Sequence, residues 1–431
     1  MSMEYDLIKL SQKIESKVIR DGKRLFAGFS VEKNVDSPTF SAVAYSCGCN
    51  IGCYYCSSTV RDYIDGKVPD INLRTLKTGG LRKGFYSSEE LLTIFLTMAA
   101  SPSNFGETRP GDKVDTFAIL DCETTIGMDF VFRFMDSLAS YNKEAGTRYK
   151  FELFTNGILL GHHPEYLDKL ANYRDCLTIR FSIKAGNEAA FTHRVDTSPE
   201  YFQCPFEALK KCIELGIDNY VCVLSDEKIM AAEEFEEINR RLAEVGYTRE
   251  IYEEKLIMSV SCINRIRKHQ EKYPDYEFRF RFRESILLIY DPNVEGTDLV
   301  ARKLNSGIRR VLGKAGMLWA LGDNFNEILY SSGNGYTGNT SVVFVTDLST
   351  YVPSEIADVF REIGIEEYGE IILLDVGNRG FDGLSTFKHH SVNGEKLKVR
   401  TLRELCRVDE ASSISPEDIV RAGHNITYFW L

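Results

Sequence analysis

Apolar and polar positions along the chain follow two periods. Residues 4–20 place Leu7, Leu10, Ile14 and Val18 at helical spacing and predict an amphipathic helix. A short apolar segment, FSAVAYS at 40–46, follows and ends in a loop rich in glycine, cysteine and asparagine. Beyond it, apolar runs with β-branched and aromatic residues at 115–120, 149–155, 178–183, 219–224 and 284–290 predict strands. Helical patterns fill the intervals at 87–99, 127–140, 164–172, 204–215 and 231–245. Such alternation implies parallel strands joined by crossover helices. Five or six units of this kind predict a partial (β/α)6 TIM-like barrel, whose functional residues lie at the carboxyl ends of its strands.

Near residue 291 the pattern changes. DPNVEGTD carries turn and helix-start signals, and 296–317 reads as a basic helix. Apolar runs at 342–346 and 371–375 flank a helical pattern at 353–364, and 394–431 mixes a short strand with helices. The division expected from this reading is a helical lead-in at 1–39, the barrel at 40–294 and an α/β C-terminal extension at 295–431. No internal repeat is visible.

Composition narrows the classes. Apolar residues make up 43% and charged residues 27%, which excludes a disordered chain, a collagen-like repeat and a long coiled coil. The net charge of −11 argues against general binding to duplex nucleic acid, which needs many Lys and Arg facing phosphates. No apolar run approaches the roughly 20 residues that cross a bilayer, and the charged N-terminus does not read as a secretory signal. A cytoplasmic location is therefore expected, in which the eleven cysteines stay reduced and available to metals.

The candidate chemistry begins in the loop after residue 46. Cys49, Cys53 and Cys56 stand in CNIGCYYC, with CxxxCxxC spacing, and Gly48 and Gly52 allow tight turns there. Three thiolates suit a [4Fe–4S] cubane with one iron left open for a substrate or cofactor. Cys47 offers a fourth thiolate, which would instead make a zinc-stabilised, non-enzymatic binding module. Structural zinc sites usually join two separated CxxC pairs, and no second pair exists here. Unrelated buried thiols are the plain alternative.

At this point the chain resembles the radical S-adenosylmethionine (SAM) superfamily, whose signature is CxxxCxxC with an aromatic or apolar residue, here Tyr55, before the third Cys. The resemblance runs from about residue 25 to about 290. It implies that SAM chelates the open iron and is cleaved reductively to a 5′-deoxyadenosyl radical that abstracts a substrate hydrogen. FAILDCETTIG (117–127) is similar to the second barrel strand, with Glu123 in the place that meets the methionine amino group. Asp121 and Cys122 replace the family's two glycines, and Thr124 its proline. FELFTNGILL (151–160) resembles the third strand, which offers Thr155 and Asn156, and RFSIKAG (180–186) the fourth. There Ser182 and Lys184 share a face with Arg180 and would reach the cofactor carboxylate or ribose. The resemblance further implies an electron donor such as flavodoxin or ferredoxin and an unidentified substrate. Within the class, a glycyl-radical activating enzyme is an alternative.

Several signals stay open. Cys122, His193 and Arg194 are the candidates for catalysis. Cys122 is a packed thiol behind the site if the strand stays regular, the reading preferred because free cysteine is usually a small buried hydrophobe, and faces the radical if the chain has already turned. EFRFRFRE (277–284) alternates Phe with Arg279, Arg281 and Arg283, which suits either an anion grip or a solvated strand face. GNGYTG (333–338) matches a dinucleotide fingerprint but leads into a strand, so a Rossmann reading fails. His389 and His390 beside Lys388 read as a solvated turn or a phosphate or metal patch.

Overall fold

A computed structural model describes residues 6–33, 39–58, 83–106, 108–109, 111–226, 229–254, 256, 260–276, 280–282, 285–312, 317–320, 340–346, 370–375, 391–392, 395–396, 398–401, 414–426 and 428–430. The chain divides into two compact units, Met1–Leu256 and Ile257–Leu431.

The first unit opens with α1 (Leu7–Val18), whose free amides at Ile8 and Lys9 are capped by the Asp6 carboxylate. Then come β1 (Ile19–Arg20), β2 (Lys23–Lys33), β3 (Phe40–Ser46), β4 (Gly84–Tyr86), α2 (Ser88–Ala100) and β5 (Val114–Leu120). The unit continues through α3 (Met128–Ala145), β6 (Lys150–Thr155), α4 (Ile158–His162), α5 (Glu165–Leu170) and β7 (Leu177–Ile183). It ends with α6 (Glu188–Val195), α7 (Cys204–Glu214), β8 (Asp218–Leu224), α8 (Ala232–Glu244) and β9 (Tyr252–Glu254). The strands form one nine-stranded sheet in the order β1-β2-β3-β5-β6-β7-β8-β9, with β4 on β2. From β3 to β9 every neighbouring pair is parallel and follows chain order, as the strand–helix alternation predicts.

Strand alternation sorts the two faces of this sheet. Phe117, Phe151, Ile179, Phe181 and Val221 are fully buried on the helix side, where Phe95 of α2 stacks on Phe117 at 5.0 Å and Phe134 of α3 meets Phe151 at 5.0 Å. The alternate residues bound a cavity of about 260 Å³, among them Thr116, Glu152, Phe154, Arg180, Tyr220 and Tyr252.

Two expectations are corrected here. The lead-in is not only helical, because β1 and the 11-residue β2 add antiparallel strands to the sheet edge. The run 284–290 does not belong to this sheet. Its place after β8 is taken by the three-residue β9, too short to stand out as an apolar run, so the division falls after Leu256 rather than near 294.

The second unit contains α9 (Val260–Lys272), β10 (Phe280–Phe282), β11 (Ser285–Tyr290), α10 (Thr297–Leu312), β12 (Met317–Ala320), β13 (Thr340–Thr346) and β14 (Glu370–Asp375). After these come β15 (Ser391–Val392), β16 (Glu395–Lys396), β17 (Lys398–Thr401), α11 (Pro416–Asn425) and β18 (Tyr428–Trp430). Its main sheet is five-stranded and wholly parallel, in the order β12-β11-β13-β14-β17, so the winding direction reverses beside β11. The alternating Phe–Arg segment contributes β10, which pairs antiparallel with β18. The segments 333–338, 353–364 and 388–390 lie outside the described residues.

The core of this unit joins Ile286, Leu288, Val343 and Val345 to Leu304 and Ile308 of α10 and Ala422 of α11. The two helices touch through glycine. A Cβ on Gly307 would stand 2.1 Å from the Val420 oxygen, and one on Gly423 would stand 2.3 Å from the Leu304 oxygen. Gly307→Ala or Gly423→Ala must push the helices apart and is expected to destabilise the second unit by about 1–3 kcal/mol. Calorimetric melting checks this, and an unchanged transition would show that the helix pair is not close-packed.

Candidate cofactor site at the carboxyl ends of the parallel strands

The cysteine loop leaves β3 at Ser46. Gly48 takes φ +85, and a Cβ there would meet the Ile14 side chain of α1 at 2.4 Å, so the first turn requires glycine. Gly52, by contrast, is not left-handed; its amide donates to the Val195 carbonyl at 2.9 Å. Tyr54 N–H donates to the Arg194 carbonyl at 3.2 Å, so the loop is docked on the last turn of α6. Cys49 and Cys56 are half-buried and Cys53 is buried. Tyr55 is buried edge-on to Tyr54, with ring centroids 5.5 Å apart, and burial raises its phenol well above the ordinary value.

Cys47 goes elsewhere. It is fully buried and packs with Ile14, Val18, Leu25, Ala27 and Ile126, and burial pushes its thiol up to about 12. A thiol committed to an apolar core is poorly placed as a zinc ligand. Among the described residues no group of three His, Cys, Asp or Glu side chains is arranged around a single ion. A cubane makes a different demand, since each of its thiolates binds a different iron.

The end of β5 breaks its alternation at once. Asp121 adopts φ +87, the left-handed region that favours glycine. The chain has therefore already turned at Cys122, which is half-buried with its sulfur 3.9 Å from Ser58 Oγ. Glu123 is 1% exposed and held on several sides. Its Oε1 accepts from Thr125 Oγ1 at 2.5 Å, Thr125 N–H at 3.2 Å and Thr155 Oγ1 at 2.7 Å, and its Oε2 accepts from Asn156 N–H at 2.7 Å.

Asn156 carries the connection onward. Its Oδ1 accepts from Ile158 N–H at 3.0 Å, so its amide group is left to donate to Asn50 Oδ1 at 2.8 Å. One network thus joins the cysteine loop to the ends of β5 and β6. Gly157, at φ +78, makes the following turn where a Cβ would stand 2.9 Å from Pro205. Asn50, which lies between Cys49 and Cys53 in the sequence, is fully buried, and its Nδ2 has no partner among the described residues. An orphaned buried donor in a thiol-bearing loop fits a group that brings acceptors there, as the sulfurs of an iron–sulfur cluster do.

On β7 the expected face forms. Arg180 points into the cavity, paired with Glu254 at 2.6 Å and stacked on Phe154 and Tyr252 with its guanidinium carbon 4.4 and 4.9 Å from the ring centres. Beyond it, Lys184 Nζ donates to Ser182 Oγ.

The pair 193–194 separates. His193 is half-buried on α6, but Arg194 is 2% exposed and donates to Lys184 O, Ile229 O and both oxygens of Glu234. Arg194, a candidate catalyst by sequence, is placed as a tie between elements, because both its terminal nitrogens donate into the protein. Sequence reasoning missed Arg24 of β2, Asn50 and Glu234. Asn50 alone carried a signal, being a polar residue between two candidate ligands.

No curated protein sequence matches the chain. Among solved structures it is similar to SuiB of Streptococcus suis bound to S-adenosylmethionine, at 14% identity and TM-score 0.33 over 54% of this chain and 46% of that one. It is also similar to anSMEcpe with bound AdoMet, at 12% identity and TM-score 0.34 over 63% of each chain. The chain thus spans less than two thirds of the length of either. The Radical SAM superfamily model matches residues 43–242, which contain the end of β3, the cysteine loop and the strands β5 to β8. Over residues 43–242 the chain thus matches the radical SAM superfamily, a family that works with a [4Fe–4S] cluster and S-adenosylmethionine.

Proposed function

We propose that this chain is a radical SAM enzyme whose first unit is a partial barrel and whose substrate reaches the cavity face of the parallel sheet. The observation that carries this is the CxxxCxxC loop, tied through Asn50, Asn156 and Glu123 to the two strand ends beside it. Cys49, Cys53 and Cys56 would hold the cluster. Once bound, cluster and SAM supply a 5′-deoxyadenosyl radical on one-electron reduction. Glu123 and the turn after β5 would receive the methionine ammonium, with Asn156 alongside, and Ser182 and Lys184 the carboxylate or ribose. Tyr55 closes the loop side. Burial of Glu123, Asn50 and Asn156 keeps water from this part of the site. A flavodoxin- or ferredoxin-like donor would deliver the electron.

Anaerobic reconstitution with iron and sulfide, followed by dithionite and SAM, tests this reading. The expected result is slow formation of 5′-deoxyadenosine without added substrate, detected by mass spectrometry. A fully loaded protein that never cleaves SAM would overturn it. Zinc without acid-labile sulfide in the purified protein would favour a metal-stabilised binding module instead.

A further inference from the structure

Arg24 stands near the start of β2, the strand antiparallel to the one that feeds the cysteine loop. It is fully buried, and among the described residues no carboxylate forms an ion pair with it. Burial lowers its pKa to about 10, so it remains a cation at neutral pH. Its two terminal nitrogens donate to main-chain carbonyls of one turn, while Nε has no partner among the described residues. Nη1 reaches Thr124 O and Ile126 O, each at 2.7 Å, and Nη2 reaches Glu123 O at 3.0 Å. A planar guanidinium can hold three convergent carbonyls in this way, whereas an ammonium is a point donor.

The turn is the one that carries Glu123, and the peptide between Thr124 and Thr125 links the two. Its carbonyl accepts from Arg24, and its N–H, which points the opposite way across a trans peptide, donates to Glu123 Oε1 at 3.2 Å. One peptide dipole therefore lies in line between a buried cation and a buried carboxylate. A buried arginine with no carboxylate of its own is costly, and such groups persist where they hold a geometry that matters.

We propose that Arg24 is a positioning residue for SAM, fixing the turn after β5 so that the Glu123 carboxylate is presented to the methionine ammonium. The inference rests on the reading that this turn receives the ammonium. It assigns a role to a residue that precedes the matched segment 43–242.

The test uses reconstituted holoprotein and reads binding rather than turnover. Arg24→Gln and Arg24→Lys are compared with wild type for iron and sulfide content, for SAM affinity by equilibrium dialysis, and for the change SAM produces in the electron paramagnetic resonance spectrum of the reduced cluster. The expected result is a full cluster with SAM affinity weakened about tenfold or more in Arg24→Gln, the loss typical of an outer-shell group. Arg24→Lys should recover part of it, and in Arg24→Gln the spectral change should shrink to about half or less at a SAM concentration about ten times the wild-type Kd. Wild-type affinity in a fully loaded Arg24→Gln protein overturns the inference. So does a lowered melting temperature with unchanged affinity in the loaded fraction, the mark of a merely structural role. If Arg24→Gln does not fold, Thr125→Val decides, since it removes the 2.5 Å bond to Glu123 Oε1 with little change of shape. Affinity about tenfold weaker there supports the inference, by the worth of a hydrogen bond to a charged group, and unchanged affinity overturns it. Wild-type protein that fails to bind SAM would instead overturn the functional reading beneath it.

Discussion

Alanine at Cys49, Cys53 or Cys56, one at a time, abolishes the iron–sulfur cluster, while Cys47→Ala leaves it in place. Three thiolates are the minimum that leaves a cubane a single open iron, so losing any one exposes a second iron to solvent. Cys47 differs from the other three by its surroundings. It is fully buried among Ile14, Val18, Leu25 and Ala27, and its removal costs only a small cavity, about 0.5–1.5 kcal/mol by analogy with deleting one methyl-sized group. Iron and sulfide analysis with the visible spectrum after anaerobic reconstitution reads the outcome. Cluster loss in Cys47→Ala together with retention in Cys49→Ala would overturn the ligand assignment and return the zinc alternative.

Much of the first unit was legible because its strands are buried on one whole face. The segments 115–120, 149–155, 178–183 and 219–224 lie within a residue of β5 to β8, since parallel strands under helices must be continuously apolar there. The same property misassigned 284–290. That run is equally apolar, but a run of Ile and Leu does not encode which sheet it joins, and it became a central strand of the second. The opposite failure hid β9, whose Tyr-Glu-Glu is a polar edge. β2 was hidden as well.

The site was legible where the signal was a local spacing and dark where it was a long-range hydrogen bond. CxxxCxxC is read from eight residues. Ser182 and Lys184 share a face because of the period of a strand, and both do meet at the end of β7. By contrast, Arg24 is 100 residues from Thr124, and Asn50 is 106 from Asn156. An arginine at the start of an apolar run reads as a solvated end until the fold closes over it. The orientation of Cys122 is hard to read from sequence because strand ends lose alternation, and here a left-handed Asp121 ends it. Arg194 was ambiguous in sequence for a related reason. Position just beyond the fourth strand is shared by groups that touch a substrate and groups that hold the loops around it.

Arg194 provides the sharpest contrast between those two roles. Its side chain is 3% exposed and that of Glu234 11%, with both guanidinium nitrogens 2.6 Å from the carboxylate oxygens. Burial alone would lower the arginine pKa, but Glu234 outweighs it and raises the pKa above the ordinary value. Glu234 also accepts from Gly186 N–H at 3.0 Å, so the pair ties the turn after β7 to α8. Arg194→Leu strands a buried carboxylate and is expected to destabilise the first unit by about 3–5 kcal/mol. At about 2–4 °C per kcal/mol for a unit of this size, its melting temperature should fall by roughly 6–20 °C. Glu234→Leu in the same chain should restore part of the loss, because an apolar pair leaves no charge behind. A catalytic arginine behaves otherwise: its removal stops turnover while the fold melts as before, and adding Glu234→Leu then lowers stability further. Melting of the two single variants and the double variant separates these outcomes without knowledge of the substrate.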